Sequence, residues 1–206
     1  MAKGYTDKAT IQNLGIITID ASFDAQIDSW IEGAENIIDL ITGRNFKADS
    51  TASARLFDGN GSPMLLIDDT VEITLVEVGV DAYGASFETI PSTGSGRYFA
   101  DPANYAALNV PITKLTLASR AFLFGKQNQR VTAKWGYSAN VPADIKLAAT
   151  VFALGIANPN RPGGSEIKSE RIGNYTVTYN SEKGNNSWAD FEQAMTILEG
   201  YKRYFL

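Results

Sequence analysis

Apolar residues recur every three or four positions in three parts of the chain, and this spacing predicts amphipathic helices. The predicted helices cover residues 22–42, 142–157 and 187–204. Residue types suited to helix ends flank them: Gly43 follows the first helix, Pro142 opens the second and Ser187 opens the third. A shorter helix is expected to run from a Thr6 cap to about Leu14.

The helix predicted at 142–157 lacks the polar face of an ordinary surface helix. A first ridge consists of Ile145, Ala149, Phe152 and Ile156, a second ridge consists of Leu147, Val151 and Leu154, and only Lys146 and Thr150 mark a polar side. We expect the first ridge to pack on the helix at 22–42. The second ridge then faces either the strands of the same subunit or another copy of the protein.

Between residues 52 and 137 the pattern changes to that of β-strands. The segments ARLF and MLLI flank a DGNG turn, which predicts a hairpin because Asp-Gly and Asn-Gly tolerate positive φ. In TVEITLVEVGV the alternation shifts phase between Leu75 and Val76, which indicates a bulge or a strand that changes sides. RVTAKWGY alternates cleanly, with Val131, Ala133 and Trp135 on one face, and EIKSERIGNYTVTYN is again typical of strands.

This order of elements predicts an α+β fold, because the helices and strands are segregated along the chain. The expected architecture is a small helical bundle with an inserted antiparallel β block. We expect a single domain over residues 1–206, with a β-rich elaboration at about 47–137 and a separate C-terminal helix at about 187–206.

Composition narrows the chemistry that the chain can perform. The 206 residues are 44% hydrophobic and 20% charged, which is typical of a globular protein. The absence of cysteine excludes disulfides, zinc–thiolate sites and cysteine nucleophiles, and the absence of histidine removes the commonest general base and metal ligand. We therefore expect no enzymatic activity, no metal and no cofactor.

The chain shows neither an apolar leader at its start nor an apolar run long enough to cross a bilayer. We expect synthesis in the cytoplasm, a soluble product and no membrane partner. The net charge of −5 argues against an overall basic surface for nucleic acid, although a local patch stays possible.

Two glycine-rich segments and one acidic pair are further candidate sites. GNGSP at 59–63 and GSGRYF at 94–99 lack the spacing of a phosphate-binding loop and are interpreted as turns. Asp68 and Asp69 could serve a glycosidase, but a turn before a strand explains them more simply.

Carboxylates follow one flank of the helix predicted at 22–42. This acidic flank consists of Asp24, Asp28, Glu32, Glu35 and Asp39. Like charges four residues apart cost a helix a few tenths of a kcal/mol each. The flank is therefore either a solvated face or a surface that repels nucleic acid or meets a basic partner.

The C-terminal segment LEGYKRYFL combines large aromatic side chains with Lys202 and Arg203. Aromatic residues and arginine are enriched at the centres of protein interfaces. The segment is expected to dock either on the core of its own subunit or on a partner.

Four segments together resemble the head–tail connector (adaptor) proteins of tailed bacteriophages. The segments are WIEGAENIIDLITGRNF at 30–46, GKQNQRVTAKWGYSANVPADIKLAA at 125–149, IKSERIGNYTVTY at 167–179 and ILEGYKRY at 197–204. The first is similar to the long connector helix that ends in T-G-R-x-F, and the third to the S-E-x-I-G-x-Y segment. They cover about a third of the chain in the order and spacing of that family, whose shortest members have a smaller β region between about 47 and 124.

The resemblance implies a non-enzymatic virion protein at the junction of capsid and tail. Copies, typically twelve, form a ring beneath the portal that extends the DNA channel and presents a platform to a downstream stopper or tail protein. The implied partners are the portal protein, neighbouring copies, that downstream protein and genomic DNA that passes without specific binding.

The resemblance and the patterns together suggest a role for three groups of residues. Portal binding is expected of Trp188, Phe191, Tyr201, Arg203, Tyr204, Phe205 and Leu206. Contact between subunits is expected of Leu147, Val151, Leu154, Ser169, Glu170, Arg171, Ile172 and Tyr175. Channel lining is expected of the acidic flank, Asp24, Asp28, Glu32, Glu35 and Asp39.

Three alternatives stay open at this point. A stopper or tail-completion protein would share the ring but bind a different neighbour. A carbohydrate-binding adhesive module would use strand aromatics such as Tyr175 and Tyr179, and would leave the helices unexplained. An enzyme that uses carboxylates alone would need a cleft lined by them.

Overall fold

The computed structural model describes residues 3–15, 21–157, 169–172, 175–178 and 187–203, with side chains for all of these except Phe23 and those at 169–190. The chain forms two compact units. The helical unit consists of Met1–Gly43 and Pro142–Leu206, and the β unit consists of Arg44–Val141. The predicted α+β fold class is confirmed, and the strands of the β unit are inserted between two helices of the chain.

The helical unit contains four described helices and a two-stranded hairpin. These are α1 at Lys8–Gly15, α2 at Asp24–Thr42, α4 at Ala143–Ala157, α5 at Ser187–Tyr201, β7 at Ser169–Ile172 and β8 at Tyr175–Thr178. A 3-10 turn at Ala21–Phe23 precedes α2. Helix α4 packs against α1, α2 and α5, so it forms the centre of the unit.

The ends of these helices follow from local chemistry. Gly43 adopts a φ of 67° and its N–H donates to Asp39 O at 2.8 Å, as expected for a glycine that ends a helix. At the start of α1 the cap is Asp7 instead of the predicted Thr6, because Asp7 Oδ1 accepts a hydrogen bond from the N–H of Thr10 at 2.8 Å.

The β unit is built around one antiparallel sheet of six strands. The strands are β1 at Ser53–Gly59, β2 at Met64–Gly79, β3 at Phe87–Ile90, β4 at Tyr98–Asp101, β5 at Ile112–Leu117 and β6 at Gly125–Trp135, and the short helix α3 lies at Tyr105–Leu108. The strand order is β1-β6-β2-β5-β4, and β3 pairs with the C-terminal part of β2. The core contains twelve buried apolar side chains: Leu65, Ile67, Val76, Val78, Ile90, Ile112, Leu115, Leu117, Phe122, Val131, Ala133 and Trp135.

Strand β2 carries the predicted irregularity. Its register against β6 shifts between Thr70 and Glu72 and again between Ile73 and Leu75, which confirms the bulge indicated by the phase change. The predicted alternation of β6 is also confirmed, because Val131, Ala133 and Trp135 are all buried.

The predicted hairpin between β1 and β2 is wrong. Strand β1 pairs with β6, which lies between β1 and β2 in the sheet. The DGNG segment does end between the two strands. A turn signal is local, however, and cannot show which strand becomes the hydrogen-bonded neighbour.

The chain enters and leaves the β unit at adjacent positions. The N–H of Tyr137 donates to Asn45 O at 2.8 Å, and the N–H of Ala48 donates to Ser138 O at 3.0 Å. These bonds tie the two connecting segments of the unit to each other.

Candidate functional site

The side chains that pack α4 into the helical unit show which of its surfaces are covered. Ile145 and Phe152 of the first ridge are buried, and Ile156 Cδ1 lies 3.4 Å from the position that a Cβ on Gly33 of α2 would occupy. Ile156 of the first ridge therefore packs on α2, as expected.

Thr150 does not mark a polar side of α4. It is fully buried, its hydroxyl lies 2.7 Å from the hydroxyl of Thr6, and it also donates to Lys146 O at 2.8 Å. The segment before α1 covers this face, and the hydroxyl pair meets the hydrogen-bonding needs that burial creates.

The second ridge is divided between core and surface. Leu154 is only 6% exposed and belongs to the core, Val151 is half-buried, and Leu147 is 38% exposed. Leu147 lies nine residues before Ile156, which places the two side chains on opposite sides of the helix. The exposed part of the second ridge therefore faces away from α2.

Glu35 does not contribute to an exposed acidic flank. It is 1% exposed, and its carboxylate accepts hydrogen bonds from the backbone N–H groups of Lys3 at 2.5 Å, Gly4 at 2.8 Å and Tyr5 at 2.7 Å. The expectation that all five carboxylates share one open surface is thus corrected at this position. We call residues 3–6, which Glu35 and Thr150 hold, the N-terminal strap.

The rest of the acidic flank is only partly open. Asp39 pairs with Lys3 Nζ and accepts a hydrogen bond from Tyr5 Oη at 2.7 Å, and Asp24 pairs with Lys8 Nζ at 2.5 Å. Asp28 is exposed and Glu32 is half-buried. The exposed carboxylate surface of α2 is therefore centred on Asp28 and Glu32.

Helix α5 is packed on its own unit through several of the residues proposed to bind the portal. Phe191 is 40% exposed, and its ring packs edge-on against Phe152 at 4.9 Å between centroids. Tyr201 Oη donates to Asp144 Oδ2 at 2.8 Å, and the N–H of Arg203 donates to Thr42 O at 2.8 Å. The side chain of Trp188 and residues 204–206 lie outside the described residues.

The other residues proposed for contact between subunits form the hairpin β7–β8. Ser169, Glu170, Arg171 and Ile172 pair in antiparallel register with Thr178, Val177, Thr176 and Tyr175. The backbone pairing therefore places these residues in one hairpin. Their side chains lie outside the described part of the structure.

Carboxyl groups of the β unit have lowered pKa values for structural reasons. Hydrogen bonds from Arg130 lower the pKa of Glu77, those from Lys126 and the N–H of Gln127 lower the pKa of Asp58, and that from Arg120 lowers the pKa of Glu88. A carboxylate stabilised in its charged form is a poor proton donor or acceptor near neutral pH. These groups act as ion-pair partners within the sheet.

Among the described residues, no group of three or more acidic side chains is placed to hold a metal ion. In the same part of the chain, no helix combines the length and hydropathy that a bilayer span requires.

Comparison with known proteins shows a likeness of fold. No protein-family model matches the sequence, and no curated protein matches it. The fold is similar to that of a chain in the neck of an empty GTA (gene transfer agent) particle, computed with C6 symmetry. The two chains are 11% identical, the TM-score is 0.56, and the match covers 96% of this chain and 89% of the other.

The sequence did not reveal the N-terminal strap. The contacts of Glu35 join residues about thirty positions apart and leave no periodic signal. The single clue is that Glu35 lies only one helical turn from the buried Ile31 and Ile38, so its side chain borders the apolar stripe.

Proposed function

We propose that this protein is a structural subunit of the neck of a phage-like particle. The observation that carries the proposal is the fold likeness to a neck chain over nearly the full length of both chains. The resemblance of four sequence segments to connector proteins points to the same place in the virion, the junction of capsid and tail. The role is non-enzymatic.

In this proposal the subunits form a ring, and the helical unit supplies contacts between neighbours. Leu147 and Val151 of α4 leave apolar surface exposed on the side away from α2, while Ile37 and Leu40 leave apolar surface exposed on α2 itself. A closed ring requires two different surfaces on each subunit, one for each neighbour. The hairpin β7–β8 is proposed to take part in the same contact.

We propose twelve copies in the ring. That number follows from the connector resemblance, and it is compatible with the sixfold symmetry applied to the similar neck, because twelve copies can be arranged as two sets of six.

The ring is proposed to surround passing DNA without binding it. The β unit contains nine acidic and nine basic residues, so the net charge of −5 lies entirely in the helical unit. We place Asp28 and Glu32, with Asp24 and Asp39 beside them, on the channel side, where they repel phosphates. Glu35 has no part in this surface because it is buried.

The portal is proposed to bind the C-terminal end of the chain. Phe191 and Tyr201 are already engaged by α4, so α5 positions the segment that follows it. Arg203, Tyr204, Phe205 and Leu206 then make the docking contacts, with Trp188 as a further candidate. Burial of large apolar side chains, about 2 kcal/mol each, becomes strong when it is repeated around a ring.

Electron microscopy of the purified protein, alone and mixed with its portal, tests this function. We expect rings of uniform size that stack on one end of the portal. Rings that do not bind the portal but do bind a preassembled neck would identify a stopper. A protein that stays monomeric under all conditions would contradict the proposal.

A truncation tests the docking segment. Removal of residues 204–206 should leave the melting temperature within about 2 °C of the full chain, because the buried Ala194 and Leu198 of α5 remain. The truncated protein should no longer sediment with portal. Unchanged co-sedimentation would move the docking site elsewhere, first to the hairpin β7–β8.

A further inference from the structure

The sheet of the β unit contains a gap along β2. On one side, β2 pairs with β5 as far as Thr70 and with β3 from Val76 onward. Within the described sheet, Glu72, Ile73 and Leu75 of the segment between them pair with β6 alone, and Val71 and Thr74 lie at the two register shifts of β2. Five residues of one strand therefore lack a neighbour on their second edge.

This gap opens into a groove of about 610 Å³. Glu72 and Ile73 of β2 line it, and so do the four residues Tyr98–Asp101 of β4. Strand β4 ends the sheet order, so it too has an unpaired edge in the described sheet. Two strand segments that each lack a neighbour thus contribute to one groove.

The apolar side chains along the gap are incompletely covered. Val71, Ile73 and Leu75 are each half-buried, whereas Ile67 and Val76, just outside the gap, are about 1% exposed. Tyr98 is half-buried beside Ile73, and its burial raises the pKa of its phenol. The groove therefore offers apolar surface together with unpaired strand edges.

An extended polypeptide segment matches this combination. Five residues of a strand span about 16 Å, and an added strand of that length would pair with the free edge of β2. Unpaired edges of this kind are recognised by strand addition, in which backbone hydrogen bonds give affinity and side-chain pockets give specificity.

The charges that line the groove favour an acidic segment. Glu72 is paired with Lys134 Nζ at 2.7 Å, and Asp101 accepts a hydrogen bond from Thr116 Oγ1 at 2.7 Å and lies 3.7 Å from Lys114 Nζ. Arg97 has no carboxylate partner among the described residues, and its guanidinium lies over the ring of Phe99 at 4.6 Å. The charge left without a partner in the groove is positive.

We propose that this groove binds an extended segment of a partner protein by strand addition at Val71–Leu75, with a carboxylate side chain of that segment opposite Arg97. The site lies wholly within the β unit. It is independent of the subunit and portal contacts proposed above, so either proposal can fail without the other.

Titration of the full-length protein with two synthetic peptides tests the site. Both peptides have seven alternating Thr and Val residues, and one carries Glu at the centre where the other carries Lys. We expect the Glu peptide to shift the backbone amide signals of Val71–Leu75 in nuclear magnetic resonance spectra. The Lys peptide should bind roughly tenfold more weakly.

Charge reversal at the groove provides the matched control. Arg97→Glu should invert the preference, so that the Lys peptide becomes the better ligand, and it should leave the fold intact because Arg97 is exposed. Lys146→Glu reverses an exposed charge in the helical unit and should leave the preference unchanged. Ala103→Trp, which places a large ring at the groove, should abolish binding of both peptides.

The proposal is overturned if the Glu peptide leaves the Val71–Leu75 signals in place at about 1 mM. It is equally overturned if both peptides bind the unmodified protein alike, or if Arg97→Glu binds as the unmodified protein does. Ring formation by each variant, observed by electron microscopy, reports separately on the neck function.

Discussion

At the residue scale, Glu35 shows how one buried carboxylate can hold a backbone segment that has no regular secondary structure. Its two oxygens accept hydrogen bonds from three successive backbone N–H groups, and the neighbouring Asp39 holds both Lys3 and Tyr5. The bond from the N–H of Tyr5 is buried and the other two are partly buried, so the carboxylate satisfies donors that are shielded from water to different degrees. The N-terminal strap therefore depends on α2 for its position.

We predict that Glu35→Ala destabilises the protein by about 2–4 kcal/mol, because three backbone donors lose their acceptor at a buried position. Chemical denaturation followed by circular dichroism measures the change. Asp28→Ala removes an exposed carboxylate from the same helix and should cost less than about 0.5 kcal/mol. Equal effects of the two substitutions would show that the strap contributes nothing.

Also at the residue scale, the ion pair of Glu77 and Arg130 makes a pH-dependent contribution to the stability of the fold. Arg130 Nε and Nη2 donate to the two carboxylate oxygens of Glu77 at 2.7 and 2.6 Å, which lowers the pKa of Glu77. A lowered pKa means that the stabilisation is complete above the unfolded value, near 4.3, and is lost as pH falls through the folded value.

We therefore predict that Glu77→Gln has a small destabilising effect at pH 7, and that the effect shrinks as pH falls below the unfolded pKa and disappears below the lowered pKa of folded Glu77. Thermal melts of both proteins between pH 3 and 7 measure it. A difference that stays constant over this range would mean that packing, not charge, connects the two side chains.

At the element scale, α4 contributes side chains both to the core of the helical unit and to its surface. Leu154 and Leu147 belong to the same ridge of the sequence, yet one is buried and the other is exposed. A charged side chain at position 154 would be shielded from water, whereas one at position 147 would stay hydrated.

We predict opposite outcomes for two matched substitutions in α4. Leu154→Glu should destabilise the helical unit by about 3–5 kcal/mol, because it buries an unpaired charge. Leu147→Glu should stay folded and lose ring formation, which size-exclusion chromatography with light scattering detects. A folded Leu147→Glu protein that still forms rings would place the contact between subunits outside α4.

The elements themselves were predictable where the signal is local. The helices at 24–42, 143–157 and 187–201 lie within a few residues of their predicted limits, because apolar period and capping residues act over one or two turns. The bulge in β2 was visible as a change of phase. The pairing partner of β1 could not be predicted, because β1 and β6 lie far apart in sequence.

The candidate surfaces were predictable only as faces of a helix. Spacing places Glu35 and Asp28 on the same flank of α2, but it cannot show that the N-terminal strap covers one of them. The prediction that Thr150 marks a polar side was wrong for the same reason, because Thr6 of the N-terminal strap packs over its hydroxyl. What covers a helical face is decided by contacts distant in sequence, and no local pattern encodes them.

At the scale of the whole molecule, the β unit has the features of a domain that folds by itself. Its core residues all come from its own strands and loops, and its two connecting segments are hydrogen-bonded to each other at Asn45–Tyr137 and Ala48–Ser138. Stability of such a unit does not require contacts from the rest of the chain.

We predict that a fragment of residues 44–141 is monomeric and melts cooperatively, with the near-ultraviolet signal of its buried Trp135 retained. Differential scanning calorimetry and circular dichroism measure this. A fragment with secondary structure but no cooperative transition would show that the helical unit completes its core. Replacement of Trp135 by Phe in the fragment identifies the residue that gives the signal.

The paired connecting segments also have a mechanical consequence. Tension applied along the chain must pass from Gly43 through residues 44–141 to Pro142, and the bonds that tie Asn45 to Tyr137 and Ala48 to Ser138 form a shortcut across that path. While the shortcut holds, the six-stranded sheet carries little of the load. Tension on the helices that flank the insertion can thus be borne without deforming the inserted sheet.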